Sequence, residues 1–105
     1  MNINKMMRQV QKMQAEMMRA QEELETQTVE ASAGGGAVTV TVNGRLEVTQ
    51  VKIQPEAVDP DDVEMLEDLI TAAVNEGIRQ AQKMVSDRMA QVTGGLNIPG
   101  LGGLM

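Results

Sequence analysis

Lys5, Arg8, Lys12 and Arg19 are the residues of this sequence whose type and spacing best suit a chemical task, and that task is electrostatic. A single acid, Glu16, accompanies them in the first twenty residues, although the chain as a whole carries a formal charge of −6. On a helix these cations would sit where the backbone dipole is already positive, with Glu22, Glu23 and Glu25 at the negative end. Stability alone favours the reverse. A basic stripe that folding does not require is a candidate contact for a polyanion; the competing explanation is a solvated helix face, and the negative net charge opposes generic attraction to nucleic acid.

Other chemistries are poorly supplied. The 105 residues contain no Cys and no His, which removes disulfides, thiolate metal sites and the commonest general base. Without Phe, Tyr or Trp there is no aromatic platform for stacking bases. The expectation is a protein that is not an enzyme and holds no metal or cofactor, with no small-molecule substrate. Charges interrupt the start too often for a signal peptide, and no run of about 18 apolar residues is present. A soluble, intracellular protein without a membrane partner is expected.

The basic stripe must be positioned by a helix. Ile3, Met6, Val10, Met13, Met17, Ala20 and Leu24 alternate spacings of three and four, which predicts a first helix capped by Asn2 and running to about residue 26. With those residues at the a and d positions, Lys5, Lys12 and Arg19 fall at c and Arg8 at f. All four cations then share the face opposite the seam.

Between residues 28 and 53 the period becomes two. "TVEASA", "AVTVTV" and "RLEVTQVKI" read as three strands, and the parity slip from Leu46 and Val48 to Val51 and Ile53 predicts a bulge near Thr49 and Gln50. Asn43-Gly44 signals a hairpin. A two-residue loop would set Val42 opposite Arg45; a three-residue loop would set Val42 opposite Leu46 and Val40 opposite Val48, as the apolar pattern prefers. Gly34-Gly35-Gly36 reads as a turn, since the Lys-Ser or Lys-Thr of a phosphate loop does not follow. Asp59-Pro60-Asp61-Asp62 reads as the start of a second helix, with Asp59 as its N-cap, Pro60 at the first helical position and acids in the first turn; a calcium loop would need a glycine and distal glutamate that are missing. That helix carries an apolar stripe from Val63 to Val92 with Gly77 in its middle, where close approach of another helix is one explanation. The units are a domain of residues 1–93 and a flexible, Gly-rich tail, residues 94–105.

A seven-residue strand spans about 23 Å, whereas helices of 24 and 32 residues span about 36 and 48 Å. Both helices must overhang the sheet, and their apolar stripes need cover from each other and from a second copy of the chain. If they run antiparallel, their free ends bring Lys5, Arg8 and Lys12 near Lys83 and Arg88, leaving the acids beside the sheet. The methionines crowding the first helix suggest core on the seam and, at Met7 and Met18, an adaptable surface for a protein helix. A membrane-surface helix would want bulky Trp and Phe, which are absent here, and more Leu than the single Leu24 of the first helix.

"MMRQVQKMQAEMMRAQEEL", "VEASAGGGAVTVTVNGRLEVTQVKI" followed by Pro55, "DLITAAVNEGIRQAQ" and "GGLNIPGL" together resemble the YbaB/EbfC family of bacterial nucleoid-associated proteins. The resemblance implies an α+β protomer of order α-β-β-β-α, a three-stranded antiparallel meander between two long overhanging helices. It also implies a tweezer-like homodimer that binds double-stranded DNA in the cytoplasm, at the nucleoid. The expected DNA contacts, from charge geometry, are Lys5, Arg8, Lys12, Arg19, Lys83 and Arg88, mainly to phosphates, with a role in nucleoid organisation or gene regulation. The alternative is a non-enzymatic interaction protein whose Met-rich heptad surface binds a protein partner.

Overall fold

The computed structural model describes residues 2–94. Its elements are α1 (Ile3–Thr26), β1 (Thr28–Ala33), β2 (Val38–Asn43), β3 (Val48–Ile53), a 3-10 turn at Pro55–Ala57, and α2 (Val63–Gly94). This is the α-β-β-β-α order that the hydrophobic periods predict. Apart from Gly94, the expected tail lies outside the described residues.

Asn2 starts α1 from an extended backbone, and its Oδ1 accepts a hydrogen bond from the Lys5 N–H at 3.3 Å. At the other end the Gln27 N–H closes on the Glu23 carbonyl at 3.0 Å. The start of α2 differs from the sequence reading. Asp59 Oδ1 accepts from the Asp61 N–H at 2.9 Å and the Asp59 carbonyl from the Asp62 N–H at 3.0 Å, so residues 59–62 make their own turn. Asp62, not Asp59, then caps α2, its Oδ1 accepting from the Met65 N–H at 3.3 Å. Pro60 therefore belongs to the turn and not to the first turn of the helix.

The three strands form one antiparallel sheet in the order β1-β2-β3. Opposite Val42, Val40 and Val38 on β2 stand Val29, Ala31 and Ala33 on β1. The pairing with β3 runs Val38 to Ile53 and Val40 to Val51, then shifts so that Thr41 faces Gln50 and Val42 faces Val48. Thr49 is the extra residue, and it restores Val48, Val51 and Ile53 to one face, as the parity slip requires. The hairpin loop does have three residues, but they are Gly44, Arg45 and Leu46, one position later than expected. Leu46 is not a strand residue facing Val42: it takes a positive φ of 63°, with its N–H on the Asn43 carbonyl, while Asn43 and Glu47 close the loop. The Asn43 side chain drives this choice, because its Oδ1 accepts from both the Arg45 and Glu47 N–H groups at 2.9 and 3.1 Å.

α2 lies across β1 and β2. Ala73, Gly77 and Ala81 recur every four residues and are buried over the fully buried Val38, Val40 and Val42. Gly77 is explained by the sheet and not by another helix: a Cβ there would stand 2.8 and 2.9 Å from the Cγ2 atoms of Val42 and Val40. A core this thin, built of valine and alanine, is worth about 2 kcal/mol per buried valine. It leaves β3 uncovered, with Val48 and Val51 exposed on the helix side of the sheet. The described residues extend over 72 × 28 × 15 Å, far longer than the strands can fill.

Candidate nucleic-acid interface

Antiparallel packing of α1 on α2 decides where each candidate cation goes. Leu24, 3% exposed, closes a depression shared with Val85 and Met89, and the N–H of Gly44 donates to the Leu24 carbonyl at 2.9 Å. One turn on, Arg88 reaches back to Glu23, its Nη2 3.0 Å and its Nε 3.1 Å from Oε2. Glu16 and Arg19 then line a second depression with Arg88, Gln91 and the buried Val92. The last described turn of α2 thus lies beside the middle of α1. Roughly a dozen residues of α1, about 18 Å of helix, continue beyond it.

Lys5, Arg8 and Lys12 stand on that extension, exposed, and Arg19 stands exposed near its root. The expected convergence of these tips with Lys83 and Arg88 does not occur. Seating Leu24 against Val85 and Met89 fixes the register, so Arg88 is level with Glu23 and Lys83 lines a groove with Gln27 and Val29 beside the sheet. The two sets also differ in their partners. Every cation of α2 holds a carboxylate: Arg79 with Glu76 at 2.7 Å, Lys83 with Asp87 at 2.8 Å, and Arg88 with Glu23. Among the described residues, none of Lys5, Arg8, Lys12 and Arg19 has an ion-pair partner within 4 Å.

The hydrogen bond from Lys83 to Asp87 raises the lysine pKa, and the hydrogen bond from Arg79 holds Glu76 below the usual carboxylate range. Both groups are fixed in their charged forms by neighbours on α2. Residues 2–15 contain three cations and no acid, so the far end of α1 is a region of unopposed positive charge on an acidic molecule. Such a stripe can bind the oxygens of a phosphate backbone without displacing a carboxylate first.

Sequence reasoning overlooked two residues that bear on which cations are paired. Glu23, 65 positions from Arg88, occupies that cation, a pairing without any local signal. Lys52 on β3 is exposed and, like the α1 cations, has no ion-pair partner among the described residues; its signal was a lone cation between two strand apolars. The apolar seam opposite the stripe divides as well. Met13 and Met17 are half-buried and Ala20 is buried, but Ile3, Met6 and Val10 are 66%, 50% and 55% exposed. No helix among the described residues is long and apolar enough to cross a membrane.

The chain was compared with known proteins. Residues 1–96 match the family described as the YbaB/EbfC DNA-binding family. A nucleoid-associated protein of Alkaliphilus metalliredigens is 63% identical over 100 residues, covering 95% of this chain and 88% of that one. One of Pelotomaculum thermopropionicum is 60% identical over 100 residues, covering 95% of each. In structure, an uncharacterized protein from Helicobacter pylori superposes with a TM-score of 0.69 over 83% of this chain and 91% of its own, at 21% identity, and so shares the fold. The element order, the match across residues 1–96 and the identity with these relatives have one meaning: the chain belongs to the YbaB/EbfC DNA-binding family.

Proposed function

We infer that the protein binds duplex DNA as a homodimer, mainly through phosphate contacts from Lys5, Arg8, Lys12 and Arg19, and serves nucleoid organisation or gene regulation in the cytoplasm. The observation that carries this reading is the division of cations: those of α2 are held by carboxylates, while those of α1 have no such partner among the described residues. Lys83 and Arg88 contribute a smaller share, because each must exchange a carboxylate for a phosphate. Phosphate contacts need neither aromatic stacking nor a recognition helix, which suits a chain without aromatic residues. The homodimer is supported by the uncovered apolar face of β3, where Val48 and Val51 stand beside α2, and by exposed Val58, Val63 and Met65 at the start of that helix.

The test is a mobility-shift series at several salt concentrations on the parent and on a Lys5→Gln, Arg8→Gln, Lys12→Gln triple variant. Weaker binding to every duplex sequence, with the slope of log affinity against log salt reduced by about 0.9 per lost contact, is expected while the dimer persists. A triple variant that binds like the parent would sink this reading. The exposed Ile3, Met6 and Val10 favour a second one, an interaction protein that binds a partner helix, and that reading predicts no change in DNA affinity.

A further inference from the structure

Among the described residues, the seam of α1 is covered by α2 only along its second half. Towards Ile3 it continues in the same register, and Ile3, Met6, Met7 and Val10 line one apolar depression about 420 Å³ in volume. Exposed apolar residues on consecutive turns mark a contact surface more often than a solvated one. The seam's flanks show what kind of contact. With Ile3 and Val10 at a and Met6 at d, the e and g positions beside them are Asn2, Met7 and Gln9, all uncharged, and the first flanking charge is Glu16. Flanking charges are what usually set partner choice in paired helices, and here nothing forbids a helix from pairing with its own copy. The cations occupy c and f, facing away from the seam, so self-pairing brings none of them into the contact.

We propose that the residue 3–10 stretch of α1 pairs with the same stretch of a second copy from another dimer, so that the paired helices hold two DNA duplexes on their opposite faces. The pairing is antiparallel. Parallel helices would bring together two positive dipole ends, whereas an antiparallel overlap separates those ends and puts Met6 near its centre. Two helices side by side measure about 20 Å across, with Lys5, Arg8 and Lys12 of each copy on the outer surface. An overlap of about two turns is too small to associate strongly on its own. It becomes effective when DNA gathers many copies, since binding of each dimer to its duplex raises the local concentration of tips. This inference rests on the DNA-binding reading and uses a surface separate from β3.

The absence of cysteine permits a direct test in the full chain. Met6→Cys, on the seam, and Asn4→Cys, exposed at b and off the seam, are each oxidised mildly with duplex DNA present, and the products are sized under native conditions after the DNA is digested. Met6→Cys should cross-link the faster by about tenfold, the expected consequence of a raised local concentration, and should yield species larger than the dimer. Alongside, a duplex fixed to beads captures a second, labelled duplex through the protein. Met6→Gln with Val10→Gln, both at exposed positions, should reduce capture about tenfold while single-duplex affinity changes less than twofold.

Equal cross-linking from the two positions, or a cross-link confined to the existing dimer, would overturn the proposal. So would capture that survives the double substitution, or parent protein that binds one duplex and never captures another. Loss of binding to a single duplex in the parent would instead bring down the DNA-binding reading itself.

Discussion

The two halves of α1 carry one apolar seam and meet opposite fates. In the half beside the sheet, Ala20 and Leu24 are buried against α2, Glu23 is occupied by Arg88, and the hairpin turn is hydrogen-bonded to the helix end. In the half towards Ile3, the same spacing leaves Ile3, Met6 and Val10 exposed, and the cations behind them have no ion-pair partner among the described residues. Periodicity therefore identifies which side of a helix is apolar and says nothing of what covers it. Coverage is set by how far α2 runs alongside.

Stability should divide along the same line. Leu24→Ala removes a side chain that is 3% exposed and should cost about 3 kcal/mol in urea unfolding, whereas Val10→Ala on the same seam should cost about 0.5 kcal/mol or less. Similar losses at both positions would mean that the outer half is covered in solution. DNA affinity should divide the other way. The Lys5, Arg8, Lys12 triple Gln variant should bind duplex about a hundredfold more weakly near physiological salt, while Lys83→Gln should cost about threefold or less. Equal losses would erase the distinction between paired and unpaired cations.

A finer probe is Glu23→Gln, which releases Arg88. Because Arg88 and Glu23 remain 27% and 41% exposed, the cost in stability should be only about 0.5 kcal/mol. DNA affinity should rise slightly, as an acid is removed and a cation freed; an unchanged affinity would show that Arg88 lies outside the DNA path. Acid should have the smallest effect. Glu76 is held below the ordinary glutamate value near 4.3 by Arg79, so its contribution is complete above that value and is lost as the pH falls through the lowered one. Glu76→Gln should make the acid unfolding curve marginally shallower. Duplex binding by the carboxylate-free stretch of residues 2–15 should show no corresponding step.

Much of the fold was legible because its signals are local. Asn2, the valine alternation of β2 and the parity slip at Thr49 each declare themselves within a few residues, and the bounds of α1 and β1 follow. Two local signals were ambiguous. Asp59 and Asp62 are both competent caps, and the choice falls to Asp62 because Asp59 is used by the turn before it. Asn43 is both a turn former and an acceptor, and by taking two N–H groups it shifts the loop by one residue. The candidate site was legible on α1, where charge, spacing and exposure are properties of one helix. It was not legible on α2, since the level at which Arg88 meets Glu23 depends on how Leu24 packs against Val85 and Met89, a matter of long-range register.

Gly44 fixes the root of α1. Its N–H holds the Leu24 carbonyl, and a Cβ there would collide with that carbonyl oxygen and stand 2.6 Å from the Leu24 Cβ. From Leu24 to Ile3 the helix runs about 32 Å, so it acts as a lever whose fulcrum is one close backbone contact. A tilt of about 10° at the root would sweep the far end through roughly 6 Å, more than the rise of one base pair. Gly44→Ala should therefore displace Lys5, Arg8 and Lys12 more than it alters their immediate surroundings. The placing of the three α1 cations is thus set about 32 Å away, in a turn between two strands.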